Sequence, residues 1–140
     1  MEKFKDSNGR DWAISINVGT VKTVQAELKI DITDMATLKV LGDDVCLLVD
    51  CIYLCCKDEA EKAGITDIQF GQSMAGTALD SASEAFMNEL INFFPAQKAN
   101  LLRKTLEKAK SLQAQATEEI EKRIENLSYK QLTDSQESQE

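Results

Sequence analysis

The stretch from Val45 to Cys56 is the most apolar part of this chain, and it restricts the possible folds more than any other feature. As a helix it is apolar around most of its circumference, and Asp43, Asp50 and Lys57 form only a narrow polar stripe. It is too short to cross a bilayer, which requires about 20 apolar residues, and Asp50 lies in its middle. The sequence therefore predicts a buried helix at the centre of a domain, with Asp50 on its polar side.

Residues 3 to 18 have the pattern of a β-hairpin, because apolar residues alternate with polar or small ones from Trp12 onward. A two-residue loop would place Phe4 and Trp12 on opposite faces of the hairpin. A three-residue loop, Ser7-Asn8-Gly9, sets Phe4 opposite Trp12 and gives Gly9 the left-handed position that favours glycine. We therefore predict the longer loop, with the Trp12 face packed on the helices.

Helix caps and helical spacing predict the remaining elements. The predicted helices are Thr20 to Leu28, Asp34 to Gly42, an extension of the core helix to Lys62 with Gly64 ending it, a short helix after Thr66, Thr77 to Phe94, and Ala96 to Leu127. The fold class is thus mainly α with a small N-terminal β-hairpin (α+β), and residues 1–128 are expected to form one helical domain. Residues 129–140 are polar and acidic, which predicts a disordered tail.

The predicted C-terminal helix is long and has only a thin apolar stripe. At 1.5 Å per residue, residues 96–127 span roughly 45 to 50 Å, more than the diameter of a small domain, so the C-terminal half must project, fold back or meet another chain. One interpretation is a solvated helix that folds back on its own domain. The other is an interaction helix that binds a partner protein or a second copy through Leu112, Ala116, Ile120, Ile124 and Leu127.

All four cysteines, Cys46, Cys51, Cys55 and Cys56, lie in the core helix, and the chain contains no histidine. Cysteines on one helix rarely reach disulfide geometry, and structural zinc sites usually draw their ligands from separate elements. The pattern therefore favours reduced thiols that serve as small apolar side chains, with no metal and no other cofactor. The first residues lack the apolar region of a signal peptide, which together with reduced thiols predicts a cytoplasmic protein.

The net charge of the chain and the absence of catalytic motifs make several classes of function less favoured. A formal net charge of −8 argues against nucleic-acid partners and against docking on anionic membranes. Without histidine there is no ordinary catalytic triad, and the sequence has no glycine-rich phosphate loop. The segment from Gly71 to Gly76 resembles a nucleophile motif only loosely and falls in a helical context. We therefore expect a non-enzymatic protein that acts through contacts with other proteins, with a small enzyme as the less favoured alternative.

The order of several short motifs resembles a known family. The motifs are the hairpin from Asp6-Ser7-Asn8-Gly9 to Val18, then Val21-Lys22-Thr23-Val24, Leu47-Leu48-Val49-Asp50, Phe70-Gly71-Gln72, and Phe93-Phe94-Pro95 before a charged helix. This order, which covers about Phe4 to Lys108, resembles small proteins encoded in the tail-gene region of tailed bacteriophages and prophages, of the tail assembly chaperone type.

The resemblance implies a non-enzymatic factor that keeps the tape measure protein soluble and recruits tail tube subunits during tail assembly in the host cytoplasm. It carries over no defined contact residues. A structural or scaffold subunit of a phage particle, or a small oligomeric adaptor protein, is the alternative. The two classes differ in whether the protein remains in the finished particle.

Overall fold

A computed structural model describes the backbone of residues 1–137 and the side chains of residues 1–131. Over that range the elements are β1 (Glu2–Lys5), β2 (Asp11–Ile14), α1 (Val18–Leu28), α2 (Met35–Asp43), α3 (Val45–Cys55), α4 (Lys57–Ala63), α5 (Asp67–Gln72), α6 (Thr77–Phe93) and α7 (Ala96–Glu137). The predicted fold class is confirmed: a mainly helical chain with an N-terminal β-hairpin and a long C-terminal helix.

The chain divides at Pro95 into two compact units. The first, Met1–Pro95, contains the hairpin, helices α1 to α6 and the main hydrophobic cluster, whose buried members all lie between Phe4 and Leu90. The second contains α7. The sequence predicts one helical domain over residues 1–128. The main hydrophobic cluster draws its buried side chains entirely from residues before Pro95.

The hairpin has the predicted register. Phe4 pairs with Trp12, and the loop is closed by the Asp6 backbone N–H donating to the Arg10 carbonyl at 3.0 Å. Gly9 has φ +81°, the left-handed conformation that the three-residue loop requires. The second strand ends at Ile14, earlier than predicted, because Asn17 already caps the next helix and Val18 is its first, exposed residue.

The buried carboxylate of Asp6 organises the hairpin loop. Its Oδ1 accepts hydrogen bonds from the backbone N–H groups of Asn8 and Arg10, each at 2.9 Å, and its Oδ2 accepts one from Trp12 Nε1, also at 2.9 Å. The adjacent Ser7 backbone N–H donates to the Ser73 carbonyl at 2.9 Å. Charge-assisted bonds of this kind are among the stronger hydrogen bonds, so the loop is held firmly against the end of α5.

Phe70 on α5 is the centre of an aromatic cluster. Its ring centroid lies 5.0 Å from that of Trp12, 5.5 Å from that of Tyr53 and 6.4 Å from that of Phe4. The Phe4 and Trp12 contacts are edge-to-face, which is a favoured arrangement of aromatic rings. The cluster therefore joins the hairpin to α3 and α5, and the predicted docking of the Trp12 face is confirmed.

The apolar stretch forms the central helix α3, as predicted. It contacts α1, α2, α4, α5 and α6, and it buries Val49, Cys51, Ile52, Leu54 and Cys55. Asp44 caps its N-terminus by accepting from the Leu47 backbone N–H at 3.1 Å. Asp50 is exposed, which confirms its predicted position on the polar side, whereas Val45 at the first turn is exposed rather than buried.

The predicted continuation of the core helix to Lys62 is wrong, because the helix breaks at Cys56. The carbonyl of Cys55 accepts a hydrogen bond from the Ser15 backbone N–H at 3.3 Å, on the segment that leaves the hairpin. The chain then restarts as α4, which ends at Gly64 in the left-handed conformation, as predicted. The hydrogen bond at this break thus joins the segment after the hairpin to the C-terminal end of the central helix.

The start of α1 and the end of α2 differ from the prediction. Asn17, with Thr20 as its capping-box partner, starts α1, whereas Thr20 was the predicted cap. Helix α2 passes through Gly42 and ends at Asp43. Asp34 and Thr66 cap α2 and α5 as predicted.

Helix α7 is longer than the sequence predicted. Its backbone continues without a break from Ala96 to Glu137, so residues 129–137 are helical where a disordered tail was expected. The same polar composition that suggested disorder consists largely of good helix formers, and these extend a helix that is already nucleated. The rest of the predicted tail, residues 138–140, lies outside the described residues.

Candidate interaction surface

The five predicted partner-binding residues share one face of α7, and we call this set the α7 stripe: Leu112, Ala116, Ile120, Ile124 and Leu127. With about 100° of rotation per residue, they fall within about 120° of the helix circumference. The four large side chains have exposed fractions of 57%, 56%, 56% and 61% in chain order, and Ala116 is also exposed. A contiguous exposed apolar face of this kind is typical of a protein-binding surface.

Charged residues cover the other faces of α7. Lys122 Nζ lies 3.4 Å from Glu118 Oε1, an i,i+4 ion pair. No such ion pair joins Glu119 and Arg123, whose side chains are both described. Arg123 lies within the arc of the stripe, where its aliphatic stem can cover apolar surface while the guanidinium stays in water.

The net charge of the protein lies in its first unit. Residues 1–95 contain sixteen acidic and eight basic side chains, whereas residues 96–140 contain eight of each. The first unit is therefore strongly acidic, which favours basic partners and keeps the protein soluble.

The cysteines separate into one exposed and three buried thiols. Cys46 is exposed, and Cys51, Cys55 and Cys56 are buried free thiols. A hydrogen bond with the Cys51 side chain, together with burial, raises the pKa of Cys55 far above the ordinary value, and burial beside Glu59 raises the pKa of Cys56 to about 12. These two thiols stay protonated at neutral pH and are poor nucleophiles and poor metal ligands. Among the described residues, no group of three potential ligands is placed to hold a metal ion.

Thiol labelling checks this division. We expect a maleimide to modify one cysteine per native chain, Cys46, and all four cysteines in denaturant, because burial protects the other thiols. Intact mass and peptide mapping report the number and the position of the labels. The Cys46→Ser variant should take up no label in the native state; rapid native labelling of Cys55 or Cys56 would contradict the burial described here.

A groove between α3 and α5 is a second exposed apolar region. It has a volume of about 310 Å³ and is lined by Val45, Cys46, Val49, Asp50, Asp67, Ile68, Gly71 and Met74. Val45 belongs to the apolar stretch that was predicted to be buried, yet it is exposed, and Ile68 is exposed as well. Periodicity could not find this groove, since it depends on how two helices pack rather than on the pattern within either helix.

Asp50 gives the groove a pH response. Partial burial raises the pKa of Asp50 above its ordinary value of 3.8, and the negative charges of Asp67 and Asp44 raise the pKa further. The folded protein therefore binds this proton more tightly than the unfolded chain does. The contribution to stability is full below about pH 3.8 and is lost as the pH rises through the raised pKa of the folded state.

The Asp50→Asn substitution should remove that dependence. Near pH 7 we expect the variant to be more stable than the wild type by less than about 1 kcal/mol, because the side chain is exposed and its charge is screened. Urea unfolding at several pH values measures the difference, which should vanish toward about pH 3. Asp58→Asn on α4 is the control for removing an exposed carboxylate. Lower stability of Asp50→Asn than of the wild type near pH 7 would contradict the stated direction.

A groove beside the hairpin loop is lined mainly by polar groups that hold the loop in place. It has a volume of about 730 Å³ and is lined by polar groups that include Asp6, Asn8, Arg10, Gln69 and Ser73. Asp6 already accepts three hydrogen bonds, Asn8 Nδ2 donates to Ser73 Oγ at 3.2 Å, and the Gln69 side chain caps α5. These groups hold the loop on α5, so their hydrogen bonds account for the polar lining.

Comparisons with known proteins return no relative. No protein-family model matches the chain, and no curated protein or solved structure is significantly similar to it. Among the described residues, no helix combines the length and the apolar content needed to cross a membrane. The function must therefore be inferred from the surfaces described above.

Proposed function

We propose that this protein is a non-enzymatic assembly chaperone of phage tails that binds the tape measure protein and tail tube subunits through the α7 stripe. The exposed apolar face of α7 carries the proposal, because an amphipathic helix that presents such a face binds complementary helical segments. The choice of the tape measure protein and the tail tube subunits as partners rests on the resemblance of the motif order between Phe4 and Lys108 to tail assembly chaperones.

The acidic first unit fits the same role. A chaperone must stay soluble while it holds an aggregation-prone client, and a large net charge of one sign keeps a protein soluble and monodisperse. The negative charge of residues 1–95 supplies this property, while α7 provides the apolar contact. The two properties are thus assigned to different parts of the chain.

Co-expression with the tape measure protein from the same genome tests the proposal. We expect the soluble fraction of the tape measure protein to rise and a complex to copurify with the full chain. The Ile120→Glu/Ile124→Glu variant should lose both effects because it places charge in the apolar contact. The control Ser111→Glu/Ala114→Glu adds the same two charges to exposed positions on the far side of the helix and should behave like the wild type.

Unchanged solubility of the tape measure protein with the wild-type chain would argue strongly against the proposal. Mass spectrometry of purified tails tests the alternative of a structural subunit, since a chaperone should be missing from finished particles. Retention of the chain in stoichiometric amounts would favour the structural role.

A further inference from the structure

Between positions 108 and 121, the charges along the two edges of the α7 stripe follow one order. At about 100° per residue, Lys108 and Glu119 lie along one edge of the stripe, and Lys110 and Glu121 lie along the other. On each edge the basic residue comes first in the chain and the acidic residue follows eleven residues later. All four side chains are exposed.

Interactions within one helix do not account for this order. Eleven residues span about 16 Å along the helix axis, which is too far for an ion pair within one helix. None of the four side chains forms an ion pair with another residue among those whose side chains are described.

A second copy of the same helix in antiparallel orientation accounts for the charges. In an antiparallel pair, each edge meets the same edge of the other helix, so Lys108 of one copy faces Glu119 of the other, and Lys110 faces Glu121. The midpoint of Lys108 and Glu119 is position 113.5, and the midpoint of Lys110 and Glu121 is position 115.5. A two-fold axis near residues 114 and 115 therefore brings both pairs of opposite charges together. Two-fold symmetry repeats each contact, which gives four ion pairs.

A parallel pair would place like charges together. In that orientation opposite edges meet, so Lys108 would face Lys110, and Glu119 would face Glu121. Like charges at these distances destabilise the pair. The charge order therefore selects the antiparallel arrangement.

In the same register, residues of the α7 stripe lie at the contact between the two antiparallel helices. Leu112 and Ala116 lie on either side of the two-fold axis, and Ile120 lies level with Ala109 of the second copy. These side chains are exposed on the single chain, and pairing would remove them from water. We propose that, in the absence of a client, a second copy of this chain covers Leu112, Ala116 and Ile120 as an antiparallel helix pair whose orientation is set by Lys108, Lys110, Glu119 and Glu121.

The pairing requires no client, so it can be tested apart from the proposed chaperone function. Sedimentation equilibrium of the full chain, under reducing conditions and from about 1 to about 200 µM, should show a monomer–dimer equilibrium. The Glu119→Lys/Glu121→Lys variant replaces four attractive contacts by repulsive ones, and its dimer should be weaker by at least about tenfold. Adding Lys108→Glu/Lys110→Glu to that variant restores opposite charges and should restore the dimer to within about threefold.

A matched control uses the far side of the helix. Glu118→Lys/Glu125→Lys makes the same change in net charge away from the stripe edges, and its dimer should stay within about threefold of the wild type in affinity. Circular dichroism verifies that every variant keeps its helix. A wild-type chain that stays monomeric throughout the range would overturn the inference. A dimer that responds equally to the edge and control variants, or a quadruple variant that stays dissociated, would also overturn it.

Discussion

Replacing Trp12 by alanine is expected to lower the free energy of unfolding by about 4 kcal/mol. The side chain is 2% exposed, packs edge-to-face on Phe70 and donates its Nε1–H to the buried carboxylate of Asp6. The substitution removes a large apolar group, leaves a cavity and takes a donor from Asp6. Urea or guanidinium unfolding measures the change, which is a large part of the 5 to 15 kcal/mol that a domain typically possesses.

Trp12→Phe separates the packing of the ring from its hydrogen bond. Phenylalanine retains most of the aromatic contact but cannot donate to Asp6, so we expect a loss of about 1 to 3 kcal/mol. A loss below about 1 kcal/mol for Trp12→Ala would show that the hairpin contributes little to the stability of the first unit.

Replacing Phe70 by alanine should cost about as much, again about 4 kcal/mol. The ring is fully buried and contacts Phe4, Trp12 and Tyr53, so its removal affects the hairpin, α3 and α5 together. Trp12 is the only tryptophan of the chain, and its fluorescence should shift to longer wavelength as water reaches the hairpin interface.

Ile68, two residues earlier in α5, is the matched control for this prediction. It is 70% exposed, and Ile68→Ala should change the free energy of unfolding by less than about 0.5 kcal/mol. Similar losses for the two alanine variants would contradict the positions described for these side chains.

The elements that were predicted correctly depend on interactions between near neighbours in the chain. The hairpin register follows from the choice between two loop lengths, and the caps at Asp34 and Thr66 involve residues within three positions of each other. The central position of α3 follows from its apolar circumference. In each of these cases, the pattern of nearby residues is sufficient to predict the structure.

The errors depend on contacts between residues that are distant in the chain. The break at Cys56 accompanies a hydrogen bond from Ser15, forty residues earlier, which no periodicity within α3 could reveal. The exposure of Val45 and Ile68 depends on how α3 and α5 pack. The helical spacing in the sequence placed the five residues of the α7 stripe on one face of α7. Their role in binding other proteins is a proposal.

The pairing of the first strand with distant helices has a consequence for synthesis. Strand β1 packs on α6, and the Glu2 backbone N–H donates to Glu89 Oε2 at 3.1 Å, although these residues are separated by most of the first unit. A nascent chain therefore cannot complete the environment of Phe4 until α6 has left the ribosome. Strand β1 therefore reaches its native contacts only after all the intervening helices of the first unit have been synthesised, although it precedes them in the chain.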